Sequence, residues 1–219
     1  SESELSWSPD GKDLMATVSA FNGFPNIYLL DTDRANNPPN KLTQDISIVN
    51  ANWARLKKSK EKAVLESLPK GVKKFAVTNF KILSYSPDQN KILYQASASA
   101  NLPIIIKPRL MGVNSTPETR NIEAESYYIY DIKEDRNYKL NSNDFKETYS
   151  WFTDSRHIIY VRSKELHIVE YDGLNDTIVY AGPFIENYVF PWPDGTRIVV
   201  LTSLGNSNVI PNLYTISLK

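Results

Sequence analysis

The sequence predicts an all-β protein, a β-propeller, and three observations carry that expectation. A Pro-Asp corner recurs as Trp7-Ser8-Pro9-Asp10-Gly11, Tyr85-Ser86-Pro87-Asp88-Gln89, Trp151-Phe152-Thr153-Asp154-Ser155 and Pro191-Trp192-Pro193-Asp194-Gly195. Each corner leads into apolar runs rich in Val, Ile, Tyr and Thr, which read as strands separated by turns. Asp154 and Asp194 lie 40 residues apart, the period of a three- or four-stranded meander forming one propeller blade.

The corner itself has a physical reason. Proline presets φ for the first turn position, aspartate hydrogen-bonds nearby backbone, and glycine accepts positive φ. The aromatic residue before it belongs on the innermost strand, packed between neighbouring blades. On that expectation, truncating a buried Trp7 or Trp151 costs about 3–5 kcal/mol. The alternative for these tryptophans is an exposed platform on which a sugar stacks.

In chain order, four blade-like units are expected, at about 1–45, 78–144, 146–184 and 186–219, within a single propeller domain or part of one. The first places strands at 14–19 and 26–31 and a short one at 41–43. The second places them at 91–95, 127–131 and 138–140, the third at 157–161, 166–171 and 177–180, and the fourth at 197–201 and 212–216. The last unit reaches Lys219 at the end of its third strand, so ring closure is unfinished. A small closed ring, a piece of a longer chain and pairing between chains all fit; the fragment suits best, because open sheet edges invite aggregation.

Two insertions interrupt this order, at about 46–77 and 100–125. Asp10 and Asp88 lie 78 residues apart, nearly two periods, and Asn50-Ala51-Asn52-Trp53 reads as an inner strand that has lost its corner. After it, Leu56, Val64, Leu65 and Leu68 share one helical face, so a short helix is expected over 56–68, ended by Pro69 and Gly71. The second insertion carries Pro103, Pro108 and Pro117 with an apolar cluster of Ile104, Ile105, Ile106, Leu110 and Met111. Alternating strand direction places both insertions on one face, opposite the Pro-Asp corners. Ile104, Ile105, Ile106, Arg109 and Met111, with Lys58 and Lys62 of the helix, are the candidate partner-binding residues. The alternative is that the isoleucines cap the channel or cover a degenerate blade.

Charge and composition remove several function classes. Twenty-five basic residues balance 25 acidic ones, which leaves no electrostatic footprint for nucleic acid or anionic lipid. No run approaches the ~20 apolar residues of a membrane helix. Ser1-Glu2-Ser3-Glu4 is not a signal peptide, so either the chain is cytosolic or an upstream address has been removed. The absence of cysteine excludes disulfides, zinc-thiolate sites and thiol catalysis.

No catalytic, metal or cofactor residue is predicted. His157 and His167 lie on neighbouring strands with only Glu165 and Glu170 close in sequence, and structural roles are expected for both. The acidic clusters Asp31-Thr32-Asp33 and Asp131 to Asp135 lack the looped spacing that calcium needs and read as solvated turns. No serine-nucleophile elbow, phosphate loop or paired-histidine zinc motif occurs. Asn114-Ser115-Thr116 and Asn175-Asp176-Thr177 match the glycosylation tripeptide, a pattern common by chance.

Trp-Ser-Pro-Asp-Gly, an apolar strand and then Ile-Tyr-x-x-Asp resembles the TolB-type, WD-repeat-like propeller repeat, strongest over 5–33. More narrowly, Ser86-Pro87-Asp88, the stretch 102–118, Tyr130 to Asp135 and Tyr180 to Phe184 resemble the propeller region of bacterial PEGA-domain proteins. The resemblance implies a non-enzymatic, surface-anchored, extracytoplasmic protein of the bacterial envelope, with an upstream membrane anchor, and transfers no active residue. The expected function is therefore an interaction or display module for a protein or glycan partner. The alternatives are a propeller gating a prolyl-oligopeptidase-like hydrolase and a glycan-binding propeller.

Overall fold

The computed structural model describes residues 3–19, 25–43, 45–108, 111, 114–140, 149–185, 188–206 and 208–218. The chain forms two compact units, Ser1–Ser67 and Leu68–Lys219. In the first, β1 (Ser3–Trp7), β2 (Asp13–Val18), β3 (Asn26–Asp31) and β4 (Asn40–Lys41) form an antiparallel meander. It is followed by α1 (Ile46–Ser67).

The second unit opens with α2 (Lys70–Asn79) and then builds three further antiparallel sheets. The second sheet of the chain comprises β5 (Phe80–Tyr85), β6 (Lys91–Ala96), β9 (Tyr127–Asp131) and β10 (Arg136–Lys139). Between β6 and β9, the short pair β7 (Ala100–Asn101) and β8 (Asn121–Ile122) forms the neck of the long insertion. The third sheet is β11 (Tyr149–Trp151), β12 (His157–Arg162), β13 (Glu165–Glu170) and β14 (Thr177–Tyr180). The fourth has three strands among the described residues: β15 (Val189–Pro191), β16 (Arg197–Thr202) and β17 (Asn212–Ser217).

One corner joins the first two strands of every sheet. Ser8, Ser86, Phe152 and Trp192 each donate their N–H to the carbonyl five residues on, at 2.8, 3.0, 2.9 and 2.8 Å. The residue after the corner aspartate has positive φ in all four: Gly11 at 73°, Gln89 at 58°, Ser155 at 58° and Gly195 at 71°. A type I turn followed by a left-handed residue has this geometry, and the proline and aspartate supply it. The aspartate also accepts from backbone beyond the turn, at 3.1 Å from Asn90, 2.9 Å from Arg156 and 2.9 Å from Thr196.

Within the second unit, consecutive sheets pack face to face. Leu93, Ile129 and Leu140 of the second sheet and its flank meet Trp151, Ile158, Tyr160 and Val169 of the third. Phe152, Ile159 and Leu166 of the third sheet and its corner meet Val189, Ile198 and Val200 of the fourth. Strand alternation produces both seams, since every second residue points toward the same neighbour. The corners line up as well: the Asp88 N–H donates to Ser155 Oγ at 3.0 Å. The other face of the second sheet is covered by α2, through buried Val72 and Ala76 and an edge-to-face contact of Phe75 with Phe80.

Two expectations are corrected here. The helical segment is not a single helix over 56–68: α1 begins at Ile46 and takes Asn50 to Trp53, read from sequence as a strand, into its second turn. α1 does end at Ser67, just ahead of Pro69, but Gly71 lies inside α2, whose N-cap is Pro69, where the missing N–H removes no intrahelical bond. The second correction concerns Trp7, expected in a blade seam, which is 61% exposed, whereas its repeat equivalent Trp151 is 9% exposed.

Candidate functional site: a strap latched to two sheet ends

The second insertion is a strap, described at 102–108, 111 and 114–120, held by two buried carboxylates. Asp135, in the β9–β10 turn, is almost fully enclosed. Its Oδ2 accepts the N–H groups of Ile105 at 2.7 Å and Ile106 at 2.9 Å. Its Oδ1 accepts the Tyr130 hydroxyl at 2.9 Å and Arg120 Nη1 at 3.1 Å, and its carbonyl accepts Arg120 Nη2. Arg120 also pairs with Glu118 at 2.7 Å and donates to the Pro103 carbonyl at 3.0 Å, clamping the two limbs of the strap together.

The returning limb runs beside the outer strand of the second sheet. The Thr119 N–H donates to the Asn137 carbonyl at 2.7 Å, and Asn137 Nδ2 returns a bond to the Thr119 carbonyl at 2.7 Å. The second latch is Asp172, in the β13–β14 turn of the third sheet, which accepts Thr116 Oγ1 at 2.6 Å and Asn114 Nδ2 at 2.7 Å. The strap thus ties two neighbouring sheets at their turns.

Burial pushes the Asp135 carboxyl up, but the Ile106 and Ile105 amides, the Tyr130 hydroxyl and Arg120 outweigh it and hold the group below the ordinary carboxylate range. Asp172 is likewise held low: burial opposes, and the Thr116 and Asn114 donors prevail. Asp131 goes the other way. Burial raises it, because the Lys91 ammonium at 3.8 Å and the Glu134 amide do not offset the loss of solvent.

These contacts overturn two sequence expectations. Asp131 to Asp135 is not a solvated turn, since Asp131 and Asp135 are both buried. Nor does the strap crown the face opposite the Pro-Asp corners. β6 and β9 pair Lys91 with Asp131, which puts the β9–β10 turn at the corner end of the sheet, and Ile105 and Ile106 reach that end. The β6–β9 connection does leave from the far end, as strand alternation requires, but it folds back because Asp135 offers two acceptor oxygens there.

The predicted partner-binding residues separate accordingly. Ile105 is half-buried and rests its Cδ1 on Gly71 of α2, where a Cβ would collide with it. Ile106 is half-buried, Ile104 is exposed, and Met111 is 99% exposed. Arg109 lies outside the described residues. Lys58 and Lys62 are exposed on α1 of the first unit, with Lys62 3.8 Å from Glu66. Asp135, Asp172 and Arg120 carry the strap and were missed. The contacts that Asp135 and Asp172 make to the strap span 15 to 58 residues along the chain, and only the acidic cluster in the turn hinted at them.

The two histidines have structural partners. His167, 2% exposed, has Nδ1 3.0 Å from Asp176, and its ring stacks on Tyr160. His157 has Nδ1 2.6 Å from Asp154. A cleft of about 540 Å³ opens between Lys164, Phe184 and Ser203. Among the described residues no three His, Cys, Asp or Glu side chains are grouped to hold a metal ion, and no helix is long and apolar enough to cross a membrane.

No family model and no curated protein matches this chain. Among solved structures it is similar to a TolB-type protein from Agrobacterium tumefaciens, at 15% identity and a TM-score of 0.39, over 98% of this chain and 61% of that one. It is also similar to TolB from Acinetobacter baumannii, at 18% identity and a TM-score of 0.37, over 97% of this chain and 40% of that one. Porphyromonas gingivalis dipeptidyl peptidase 4 is similar at 12% identity and a TM-score of 0.38, over 98% of this chain and 31% of that one. The chain therefore spans less than two thirds of each of these proteins. At TM-scores this low, the likenesses decide neither fold nor function.

Proposed function

We propose that the chain is a non-catalytic β-propeller interaction module whose strap presents a docking edge to a protein partner. The propeller reading is supported by four sheets with one shared corner and by face-to-face seams between consecutive sheets in the second unit. The observation that carries the docking reading is the contrast within the strap. Its base is fixed by buried Asp135 and Asp172, while Ile104, Lys107, Pro108 and Met111 remain exposed. Fixing a loop before binding lowers the entropy lost when a partner arrives, and exposed apolar side chains on a fixed base suit recognition. The extracytoplasmic, bacterial-envelope placement rests on the resemblance of the repeat to TolB-type and PEGA-domain propellers.

The test is site-specific photo-crosslinking. A photoreactive phenylalanine analogue at Met111 is expected to trap a discrete protein adduct in cells, and Ile104→Asp is expected to abolish it. A control crosslinker at exposed Lys164 is expected to trap none. Equal adducts from all three would defeat the docking reading.

A further inference from the structure

The balanced total charge conceals a segregation. Residues 55–81 hold nine of the 25 basic residues and two of the 25 acidic ones, which leaves +7 there and −7 in the rest of the chain. Eight of the nine are lysine, and all but half-buried Lys73 are exposed. Of the nine, Lys62 alone lies within ion-pair distance of a carboxylate among the described residues, 3.8 Å from Glu66. An exposed pair of this kind contributes little, so the positive field of the segment is not neutralised.

Helical geometry sorts this charge. On α1, Arg55, Lys58 and Lys62 are spaced three and four apart and share one face. Ile46, Val49 and Trp53 share the opposite face, where Val49 is buried and the other two are half-buried. On α2, Lys70, Lys74 and Val77 lie on the side away from Val72 and Ala76, the residues buried against the second sheet. Helix stability does not account for Lys70. It stands in a first turn that has no acidic residue, at the end where the helix dipole disfavours a cation.

The side-chain types select the partner. Lysine is a hydrated point charge without the planar fork by which arginine grips a phosphate bidentately in nucleic-acid recognition. The aromatic side chains of the two helices, Trp53 and Phe75, are half-buried rather than displayed for base stacking. Val77, by contrast, is 64% exposed on the lysine face of α2. Lysines around an exposed apolar side chain suit a bilayer surface, where ammonium groups meet lipid phosphates and methyl groups enter the headgroup layer.

We propose that α1 and α2 each bind the surface of an anionic lipid bilayer, α1 through Arg55, Lys58 and Lys62 and α2 through Lys70 and Lys74. The helices rest on the headgroups and do not cross the bilayer. Each basic side chain at such a surface contributes about fivefold in affinity, and the contribution is screened by salt. A chain of zero net charge thereby gains a membrane contact that its total charge conceals.

Vesicle co-sedimentation tests this. The native chain is expected to pellet with vesicles of mixed phosphatidylglycerol and phosphatidylcholine but not with phosphatidylcholine alone. Raising salt from about 0.05 M to about 0.5 M is expected to release it. The triple variant Arg55→Gln, Lys58→Gln, Lys62→Gln and the double variant Lys70→Gln, Lys74→Gln should each weaken binding at least about tenfold, and their combination further. Lys133→Gln with Lys164→Gln, which removes two exposed lysines elsewhere, should change it less than about threefold. Glutamine has a helix propensity close to that of lysine, and far-UV circular dichroism checks that each variant folds. Equal binding to neutral vesicles, no binding to anionic ones, an equal loss in the control pair, or displacement by a DNA duplex at equal phosphate concentration overturns the proposal.

Discussion

The indole N–H of Trp151 reaches across a sheet seam to Ser84 Oγ at 3.1 Å. The tryptophan body is buried among Leu93, Ile129 and Ile158, so one side chain joins two sheets by packing and by a directed bond. Trp151→Ala should destabilise the second unit by about 3–5 kcal/mol, and Ser84→Ala by about 1 kcal/mol, in urea denaturation. Trp7→Ala, at the same repeat position but exposed, should cost under about 1 kcal/mol. Equal losses at the two tryptophans would refute the placement of Trp151 in a sheet seam.

Asp135 is the second structural anchor. Asp135→Asn keeps the volume but removes the charge that faces Arg120 and leaves one acceptor oxygen where there were two, Oδ2 for both Ile105 and Ile106 and Oδ1 for Arg120 and Tyr130. Arg120 keeps its pair with Glu118 at 2.7 Å, so the loss is expected at about 1–3 kcal/mol, that of a hydrogen bond to a charged group. Because the strap lies at the surface, much of that loss is expected as local opening. Hydrogen exchange should show the Ile105 and Ile106 amides losing protection first, while Leu93 and Ile129 in the sheet remain protected.

The sheets were legible in the sequence because their signals are local. The corner needs only a proline, an aspartate and a residue tolerant of positive φ, and the four positive-φ residues sit where the repeat places them. The strap was not legible, because its conformation is set by Asp135 and Asp172, which lie far from it along the chain, and composition says nothing about which distant amides a carboxylate will accept. Trp7 shows the converse limit: its repeat position fixes which way it points, and burial then depends on what lies opposite. In α1, the aromatic of Asn52-Trp53 imitated an inner strand, yet no Pro-Asp corner followed, and helix propensity through Ala51, Ala54, Arg55 and Leu56 prevailed.

Acid should loosen the latches in a predictable order of sign. Asp135 and Asp172 have folded-state pKa values below the unfolded one, so their stabilisation is complete above about pH 4 and is lost as pH falls through the folded values. Asp88 behaves alike: burial opposes, but the Ser86 and Asn90 bonds bring it down to about 2, so its contribution fades between about pH 4 and that value. Asp131 has the opposite sign, since burial raises it and protonation relieves the fold of a buried charge. Stability measured from pH 7 to pH 2 should therefore fall on the acid side, and the Asp135→Asn, Asp172→Asn double variant should flatten that limb. An unchanged acid slope in the double variant would contradict the latch assignment.

Gly71 offers the sharpest test of how α2 and the strap fit together. A glycine inside a helix is ordinarily improved by alanine by about 1 kcal/mol, through higher helix propensity. Here the new Cβ would collide with Ile105 Cδ1, the far end of a flexible side chain whose backbone is held by Asp135. Gly71→Ala should therefore gain nothing or destabilise, despite its helical position. Ile105→Val removes that Cδ1 methyl and alone should cost about 0.5–1.5 kcal/mol. Combined with Ile105→Val, Gly71→Ala should recover its propensity gain, giving a favourable coupling of roughly 0.5 kcal/mol or more in a double-mutant cycle. Strictly additive effects would mean that Ile105 does not rest on Gly71 in solution, and that the strap is not seated against α2.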